Sequence, residues 1–536
     1  MRRPGLHAGL VAIAIGGVLR SAGAQSPPAI SADRLRERLT AFAHDSTQGR
    51  ETGTAGYARA TTYLVDELKR LGVAPAGERD QYYQVVPMHH TRLDVTQASL
   101  VLTRRVRPSA IAGSINDKRL APGIGFMPIV GAFGLATPPM ATIPATDSFA
   151  TIVYGGRLGD SHSISAAAAA GKIVALFAPQ RPDGQPDFDL WNARSQLLVY
   201  RDAAAILVGT LELMPQDFLT YLAGPRLTPD SRVAEVPRMP PILAITEGGV
   251  EETIRTSTPF FVFSQPHHGR DTTFSLDHAS LSYDSRDAAL ANPARNVIAM
   301  IEGSDARLAS EFVVLSAHAD HLGVAPSGSR VGSDSIFNGA DDGGTGSVAL
   351  LEIAQYIASL PEKPKRSVLF LWTVAEEQGF LGAEYFVDHP TRGRDKIVAN
   401  ITVDMIGGRG ADDRADGSSL PVQAIGAERS SSQFSDWIAS ISGSELGLTV
   451  DRSRSPPNEC GGDDWHFARY GIPSVRISTG RSPWYHAVGD DVSHIDFDQY
   501  ARVTRLVATM AIDIANRPAR PRADKPAPDS RQACVW

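Results

Sequence analysis

The spacing of hydrophobic and polar positions changes along the chain, and these changes predict its structural elements. Between residues 32 and 71, two segments carry apolar side chains at helical spacing, and the second ends at Gly72. From Asn296 onward, short apolar runs typical of strands alternate with helical patterns. Such alternation favours an α/β fold with a mainly parallel central sheet flanked by helices.

The middle of the chain has a different pattern. Short β-like runs at 151–154, 172–177 and 205–208 lie between glycines and prolines, with few helical segments. We therefore expect an inserted, strand-rich domain. The predicted units after residue 24 are the N-terminal part of the main domain (25–125), the insert (126–285), the catalytic part of the main domain (286–516) and a mobile tail (517–536).

Residues 1–24 have the features of a secretory signal. A basic start, Met1–Arg3, precedes a mostly apolar segment from Leu10 to Leu19, and Ala22-Gly23-Ala24 is typical of a cleavage site. A membrane anchor is the alternative, but the apolar segment is too short for about 30 Å of hydrocarbon. We expect an extracytoplasmic protein, periplasmic or secreted, with no membrane span in the mature chain.

Composition and charge exclude several functions. The 536 residues include 52 Lys and Arg against 59 Asp and Glu, a net charge of −7 that offers no basic excess for nucleic acid. The two cysteines, Cys460 and Cys534, are too few for a thiolate cluster, so a metal would need His, Asp and Glu ligands. In an oxidising compartment they either pair or stay as free thiols, and the sequence leaves both possibilities open.

Histidines and carboxylates follow the most apolar predicted strands. These strands include 312–315, 367–374 and 401–403, and a further one spans 472–477. Ligands of open α/β sheets bind at the carboxyl ends of the strands, so we expect these side chains to converge there. The side chains concerned are His318, Asp320, Glu376, Glu377, Asp404 and His486.

A glycine-rich loop, 338–346, leads into a helical pattern and carries two adjacent carboxylates, Asp341 and Asp342. It lacks the spacing and the Lys of a Walker loop, and its carboxylates would repel phosphate, so a cation is the better ligand. Histidines and carboxylates without cysteine suit Zn²⁺, with Mn²⁺ or Co²⁺ as substitutes. In a paired site about 3.5–4 Å across, one glutamate of the Glu-Glu pair would be free to act as a general base.

Together these ordered motifs resemble the secreted co-catalytic zinc aminopeptidases, a family that also includes glutamate carboxypeptidase and the transferrin receptor. The resemblance implies a zinc exopeptidase-like fold and two zinc ions per chain. It implies Glu376 as the general base and Asp320 as a carboxylate that orients a ligand imidazole. The ligands it implies are His318 and Asp404 for one ion, Glu377 and His486 for the other, and Asp341 bridging both.

The resemblance has further consequences outside the ligands. The segment 126–285 resembles a protease-associated domain, an insert that shapes access to the cleft or contacts partners. Relatives also imply a cis peptide bond between Asp341 and Asp342. One motif departs from the family, because Asp464 stands where relatives often have the His of Ser-Asp-His. The oxyanion donor therefore stays unassigned, with Tyr485 a nearby candidate.

The resulting expectation is a di-zinc exopeptidase, foremost an aminopeptidase that acts on peptide or protein N-termini. The peptide bond as substrate comes from the resemblance alone, and a carboxypeptidase stays open. Two other classes are alternatives: a glutaminyl cyclase, which commonly uses a single zinc, and a receptor-like binding protein that has lost the chemistry. The complete set of ligands favours a two-metal enzyme over both. The oligomeric state is not predicted.

Overall fold

A computed structural model describes most of the chain after the predicted signal. The described ranges are 29–94, 98–104, 116–130, 137, 141–143, 152–160, 164–181, 183–188, 190, 193–230, 239–250, 278–283, 285–325, 334–408, 421–441, 446–453 and 461–527. The predicted signal, Cys460, Cys534 and residues 528–536 of the predicted tail lie outside these ranges. None of the helices described there is both long and apolar enough to span a bilayer.

Strands and helices are interspersed along the described part of the chain. The strands are β1 Ala74–Pro75, β2 Tyr83–Val85, β3 Met88–Leu93, β4 Ser99–Arg104, β5 Asn116–Leu120, β6 Phe126–Ile129, β7 Ala141–Ile143, β8 Ile152–Arg157, β9 Ile173–Phe177, β10 Ala205–Gly209, β11 Pro225–Pro229, β12 Ile242–Ile245, β13 His278–Tyr283, β14 Ser285–Ala289, β15 Arg295–Ile301, β16 Phe312–His318, β17 Gly323–Val324, β18 Ile336–Phe337, β19 Ser367–Thr373, β20 Ile397–Val403, β21 Val422–Ile425, β22 Val450–Asp451 and β23 Ser474–Ser478. The helices are α1 Ala32–Phe42, α2 Ala55–Arg70, α3 Ala166–Ala169, α4 Arg194–Leu197, α5 Gln216–Ala223, α6 Gly346–Ser359, α7 Leu381–Asp388, α8 Ser432–Ser440, α9 Asp464–Ala468 and α10 Phe497–Asn516.

The largest sheet has the order β1-β15-β19-β16-β20-β23-β21-β22, with β2 also paired to β15. Its centre, β19-β16-β20-β23, is parallel. The neighbours β15 and β21 run antiparallel to β19 and β23. The predicted α/β class is confirmed, but the sheet is mixed, because the parallel arrangement holds only for its central strands.

Helices pack on both faces of this sheet, and the alternation of side chains along each strand explains why. Residues 313 and 315 of β16 join the core that contains α1, α2, α6 and α10. Residue 314 faces the opposite cluster, which includes Phe386 of α7 and Phe467 of α9. Every residue of β16, β19 and β20 is buried, as expected of strands covered on both sides.

The helices begin and end where local side chains favour it. The hydroxyl of Ser31 accepts a hydrogen bond from the amide of Arg34 at the start of α1, and Thr54 caps α2 in the same way. Gly72, at φ 70°, follows α2 in the left-handed conformation that ends many helices. The two helices predicted between residues 32 and 71 are confirmed.

The middle of the chain has a separate buried cluster. Five strands in the order β6-β12-β10-β9-β8 form a sheet in which β6 alone is antiparallel to its neighbour. Its strands contribute to a hydrophobic core that reaches from Leu93 to Leu281 along the chain. The strands predicted at 151–154, 172–177 and 205–208 correspond to β8, β9 and β10.

Strand pairing does not follow the predicted boundary at residue 125. β3 pairs with β11 and β14, and β4 pairs with β5, while β13 pairs with both β4 and β7. Leu100 and Leu120 are buried in the cluster of the middle region. Strands β3 and β4, placed by sequence in the main domain, thus pair with β11 and β13 of the middle of the chain. That the segment 126–285 is a protease-associated domain stays a prediction.

Candidate metal centre

The predicted site residues lie at the carboxyl edge of the parallel strands. β16 ends at His318, and the next strand in the sheet, β19, ends at Thr373, just before Glu376 and Glu377. On the other side, β20 ends immediately before Asp404. Because these strands are neighbours and parallel, their ends meet at one edge.

The carboxylate of Asp342 lies between two histidines. Its Oδ1 is 3.1 Å from Nε2 of His318, and its Oδ2 is 3.3 Å from Nε2 of His486. Nε2 of His318 is also 3.3 Å from Oδ1 of Asp404. Nε2 of His486 is 3.1 Å from Oε2 of Glu377. Two groups of three ligand atoms therefore share the carboxylate of Asp342.

Asp341, the predicted bridging ligand, directs one carboxylate oxygen to the loop after β20, while its Oδ2 is buried without a hydrogen-bond partner among the described residues. Its role as a ligand stays a prediction. Its Oδ1 accepts hydrogen bonds from the amide of Gly407, at 3.0 Å, and from the hydroxyl of Thr345, at 3.1 Å. Burial and the nearby carboxylate of Asp490 raise the pKa of Asp341 well above that of an ordinary aspartate. The described residues also contain no cis peptide bond, so the predicted cis bond between Asp341 and Asp342 is wrong.

Asp490 fixes the orientation of this loop. One of its carboxylate oxygens accepts from the amide of Asp341 at 2.9 Å, and the other accepts from the amide of Asp342 at 3.0 Å. Gly339 and Gly343 adopt left-handed φ angles of 56° and 72° on either side of the two aspartates. The loop is thereby held with one aspartate directed at the histidines. No role for Asp490 was evident from the amino-acid sequence alone.

His321 is a second residue whose role was not evident from the sequence. Its side chain is fully buried, and its Nδ1 lies 2.6 Å from Oε1 of Glu377. Since the other oxygen of Glu377 faces His486, the imidazole of His321 fixes which oxygen is directed at the centre. The only sequence feature that pointed to His321 was its position three residues after His318.

Glu376 and Asp320 lie beside the ligands. Oδ1 of Asp320 accepts a hydrogen bond from the amide of Glu376 at 3.2 Å and is 4.0 Å from Nδ1 of His318. Nδ1 of His318 is nearer to the main-chain oxygen of Asp320, at 3.1 Å, so that oxygen orients the imidazole. Burial raises the pKa of Asp320 to about 6 and that of Glu376 well above its ordinary value.

The arrangement fits zinc. Ligand atoms about 2.0–2.1 Å from a tetrahedral ion lie about 3.3–3.4 Å apart, and the four histidine–carboxylate distances around Asp342, Asp404 and Glu377 are 3.1–3.3 Å. Oδ2 of Asp342 is buried and has no hydrogen-bond partner among the described residues, although Nε2 of His486 is close. His318, Asp342 and Glu377, which come from both ligand groups, offer ligand atoms within 4.8 Å of one another.

The motif that departs from the family is built into the fold. The carboxylate of Asp464 accepts from Nη1 of Arg429 at 2.7 Å, and both side chains are buried. Asp463 accepts from the hydroxyl of Thr373 at 2.5 Å, and burial raises the pKa of Asp463 to about 7. Asp464 therefore serves an internal ion pair where relatives often have a histidine.

Tyr485 stacks on the ring of His486, with the ring centroids 3.8 Å apart. Burial, together with the nearby carboxylates of Asp342, Glu377 and Glu376, raises the pKa of Tyr485. Its phenol is therefore neutral at physiological pH and able to donate a hydrogen bond.

Comparison with known proteins gives a family match over part of the chain and a similar fold. Residues 296–511 match the model of Peptidase family M28. Aminopeptidase YwaD of Bacillus subtilis is 26% identical over 220 residues, which cover 40% of this chain and 44% of that protein. Aminopeptidase Y of Saccharomyces cerevisiae is 25% identical over 226 residues, covering 40% of this chain and 37% of that protein. The alignments thus span less than half the length of these two relatives.

Two solved structures resemble most of the chain in fold. A zinc aminopeptidase from Bacillus subtilis superposes with a TM-score of 0.50 at 15% identity, covering 94% of this chain and 98% of that one. An aminopeptidase from Aneurinibacillus sp. strain AM-1 superposes with a TM-score of 0.51 at 15% identity, covering 92% and 96%. At such identities the likeness concerns the fold.

Proposed function

Since residues 296–511 match the model of Peptidase family M28, we propose that the chain is a zinc-dependent exopeptidase, and specifically an aminopeptidase. One observation carries this proposal: Asp342 joins the ligand group of His318 and Asp404 to the ligand group of Glu377 and His486. A carboxylate shared in this way is what a two-zinc centre needs. The relatives named as aminopeptidases indicate peptides as the substrate class.

The mechanism assigns a distinct role to each residue. Zinc held by these ligands would supply a water of lowered pKa and a Lewis acid for the peptide carbonyl. Glu376 carries the general-base role, because its partly buried carboxylate interacts electrostatically with His318 and Glu377 and is not part of either ligand group. In its ionised form the carboxylate of Glu376 can take a proton from the water and deliver it to the leaving amine.

The chain's other residues keep this constellation in place. The main-chain oxygen of Asp320 orients His318 through Nδ1, and His321 holds Glu377. The phenol of Tyr485, beside His486, is the candidate donor to the carbonyl oxygen. These hydrogen bonds fix the positions of the ligands, so the ligands need not reorganise during the reaction.

Purified mature protein tests the proposal directly. Aminoacyl-anilides and a pair of peptides, one with a free N-terminus and one N-acetylated, would be assayed while zinc is measured on the same sample. We expect cleavage of the free-amine substrates only, with about two zinc ions per chain. Bound zinc without cleavage of any peptide would contradict the aminopeptidase, and peptides with N-terminal glutamine would then test the cyclase.

We also propose that the protein is exported, on the basis of the signal-like segment 1–24. Expression of the full chain followed by N-terminal sequencing tests this proposal. A mature protein that begins near Gln25 and is found outside the cytoplasm would support export. Full-length protein retained in the cytoplasm would contradict it.

A further inference from the structure

Arg50 is a fully buried arginine beside the metal centre and belongs to neither ligand group. Its Nε donates to the carbonyl of Ala319 at 3.0 Å, and Nη1 donates to the carbonyl of Asn338 at 2.5 Å. Nη2 donates to the carbonyls of Gly339, at 2.8 Å, and Asp342, at 3.3 Å. One guanidinium therefore connects two loops: the loop after β16, which follows His318, and the glycine-rich loop that carries Asp342.

These carbonyls are unusual partners for a buried cation, which proteins normally pair with a carboxylate. The guanidinium of Arg50 also packs over the ring of Phe42, with 4.7 Å from its carbon to the ring centroid. Burial lowers the pKa of Arg50 to about 10. The nearby carboxylates, Asp490 most strongly, act in the opposite direction and raise it. Arg50 is thus charged at neutral pH and buried next to a cluster of negative ligands.

The backbone around Arg50 is held in an unfavourable conformation. Gln48, Gly49 and Arg50 have φ angles of 49°, 63° and 52°, in the left-handed region. Such residues persist where the surroundings fix them, and they cluster at functional sites. A Cβ at Gly49 would lie 2.2 Å from the carbonyl oxygen of Gly323, so this close approach requires glycine.

The same segment contacts the loop after β19. The hydroxyl of Thr52 accepts from the amide of Ala375 at 3.2 Å and lies 3.3 Å from Oδ2 of Asp320. The carbonyl of Arg50 accepts from the amide of His321 at 3.3 Å. Residues 50–52 therefore join all three loops that follow β16, β18 and β19.

We propose that Arg50 is a positioning residue for the metal centre, since its guanidinium holds the loops of His318 and Asp342 at the separation that zinc requires. The proposal depends on the proposed function only in taking zinc as the metal. Arg50 touches no reacting atom in this role. Its effect is on zinc affinity, because a misplaced ligand weakens binding while the other ligands still hold the ion.

The test compares Arg50→Met and Arg50→Lys with a matched buried arginine. Arg366 is 1% exposed and bonds the carboxylate of Glu311 and the carbonyl of Arg517. It precedes β19 at the strand end away from the centre, about 20 Å along the strand. Zinc dissociation constants of all variants would be measured by competition with a chromophoric chelator, together with the unfolding temperature of the metal-free protein.

We expect Arg50→Met to weaken zinc binding at least tenfold and Arg50→Lys to weaken it less, because an ammonium cannot form the fork to several carbonyls. Excess zinc should restore activity in both. Arg366→Met should lower the unfolding temperature and leave the zinc dissociation constant within twofold of the wild type. If Arg50→Met does not fold, Arg50→Lys provides the same comparison.

An unchanged zinc dissociation constant in the Arg50 variants would overturn the proposal. Equal weakening by Arg366→Met would also overturn it, because general destabilisation would then explain the effect. A wild type that binds zinc but cleaves no peptide would contradict the proposed function alone. A wild type that binds no zinc would contradict both.

Discussion

Oδ1 of Asp342 lies 3.1 Å from Nε2 of His318, although 23 residues of chain separate the two side chains. The neighbouring Asp341 has the same side chain, yet its carboxylate turns to the amide of Gly407. The contact thus distinguishes two adjacent, chemically identical residues. Oδ1 of Asp342 faces a histidine, whereas Oδ1 of Asp341 faces the backbone of a neighbouring loop.

This difference predicts opposite effects for the two aspartates. Asp342→Asn removes the shared carboxylate, so we expect zinc content to fall and kcat/KM to drop by at least about a hundredfold. In Asp341→Asn the amide oxygen can still accept from Gly407 and Thr345, so zinc content should be retained and kcat/KM should change less than tenfold. Metal analysis and steady-state kinetics on both variants check this. The reverse order of effects would support Asp341 as the ligand.

The ambiguity between Asp341 and Asp342 shows where sequence reasoning stopped. The strand ends were predictable, because uniformly apolar runs identify buried strands and parallel neighbours bring their carboxyl ends together. The orientation of a single loop residue was not, since Asp490, 148 residues away from Asp342, holds both backbone amides. Adjacent side chains in a glycine-rich loop do not follow the regular alternation of a strand.

His321 and Arg50 were missed for a related reason. Neither stands at a position that the resemblance singles out as a ligand, and a buried polar side chain is visible only through its partners. Arg50 meets its carbonyl partners across 269 to 292 residues of chain. The residues next to Arg50 in the sequence do not reveal these distant contacts.

The adjacent residues Glu376 and Glu377 are predicted to have different roles, the first in proton transfer and the second in metal binding. Glu376→Gln keeps all ligand atoms, so zinc content should match the wild type while kcat falls by about 10²–10⁴-fold, the range typical of a lost general base. Glu377→Gln removes a ligand atom next to His486, so zinc content should fall together with activity. Zinc loss in Glu376→Gln, or full activity in that variant, would contradict the assignment of the general base.

The metal-free protein should bind zinc with release of a proton from His486. Burial opposes its charged form, but the contacts with the carboxylates of Asp342 and Glu377 outweigh burial and raise the pKa of His486 to about 10. This pKa lies above the value of about 6.5 for an unfolded chain. The charged imidazolium therefore stabilises the metal-free protein fully below about pH 6.5, and this contribution is lost as pH rises towards about 10.

Zinc binds neutral imidazole, so its affinity should rise with pH across the same window. Calorimetric titrations of zinc in buffers of different ionisation enthalpy would count the protons released. His486→Gln should release fewer protons than the wild type. His494→Gln, on the same loop with its Nδ1 at the carbonyl of Gly489, is the control and should match the wild type. Equal proton release in all three proteins would contradict the prediction.

Asp464 is predicted to act on stability and not on catalysis. Its carboxylate pairs with the buried guanidinium of Arg429, so Asp464→Asn would break this buried ion pair at a cost of about 3–5 kcal/mol. Urea unfolding should show this loss, whereas the exposed control Asp436→Asn should change the free energy of unfolding by less than about 0.5 kcal/mol. Zinc content and kcat/KM of folded Asp464→Asn should stay within twofold of the wild type. A large drop in kcat/KM without loss of stability would instead show that Asp464 contacts substrate, in the place where relatives often have a histidine.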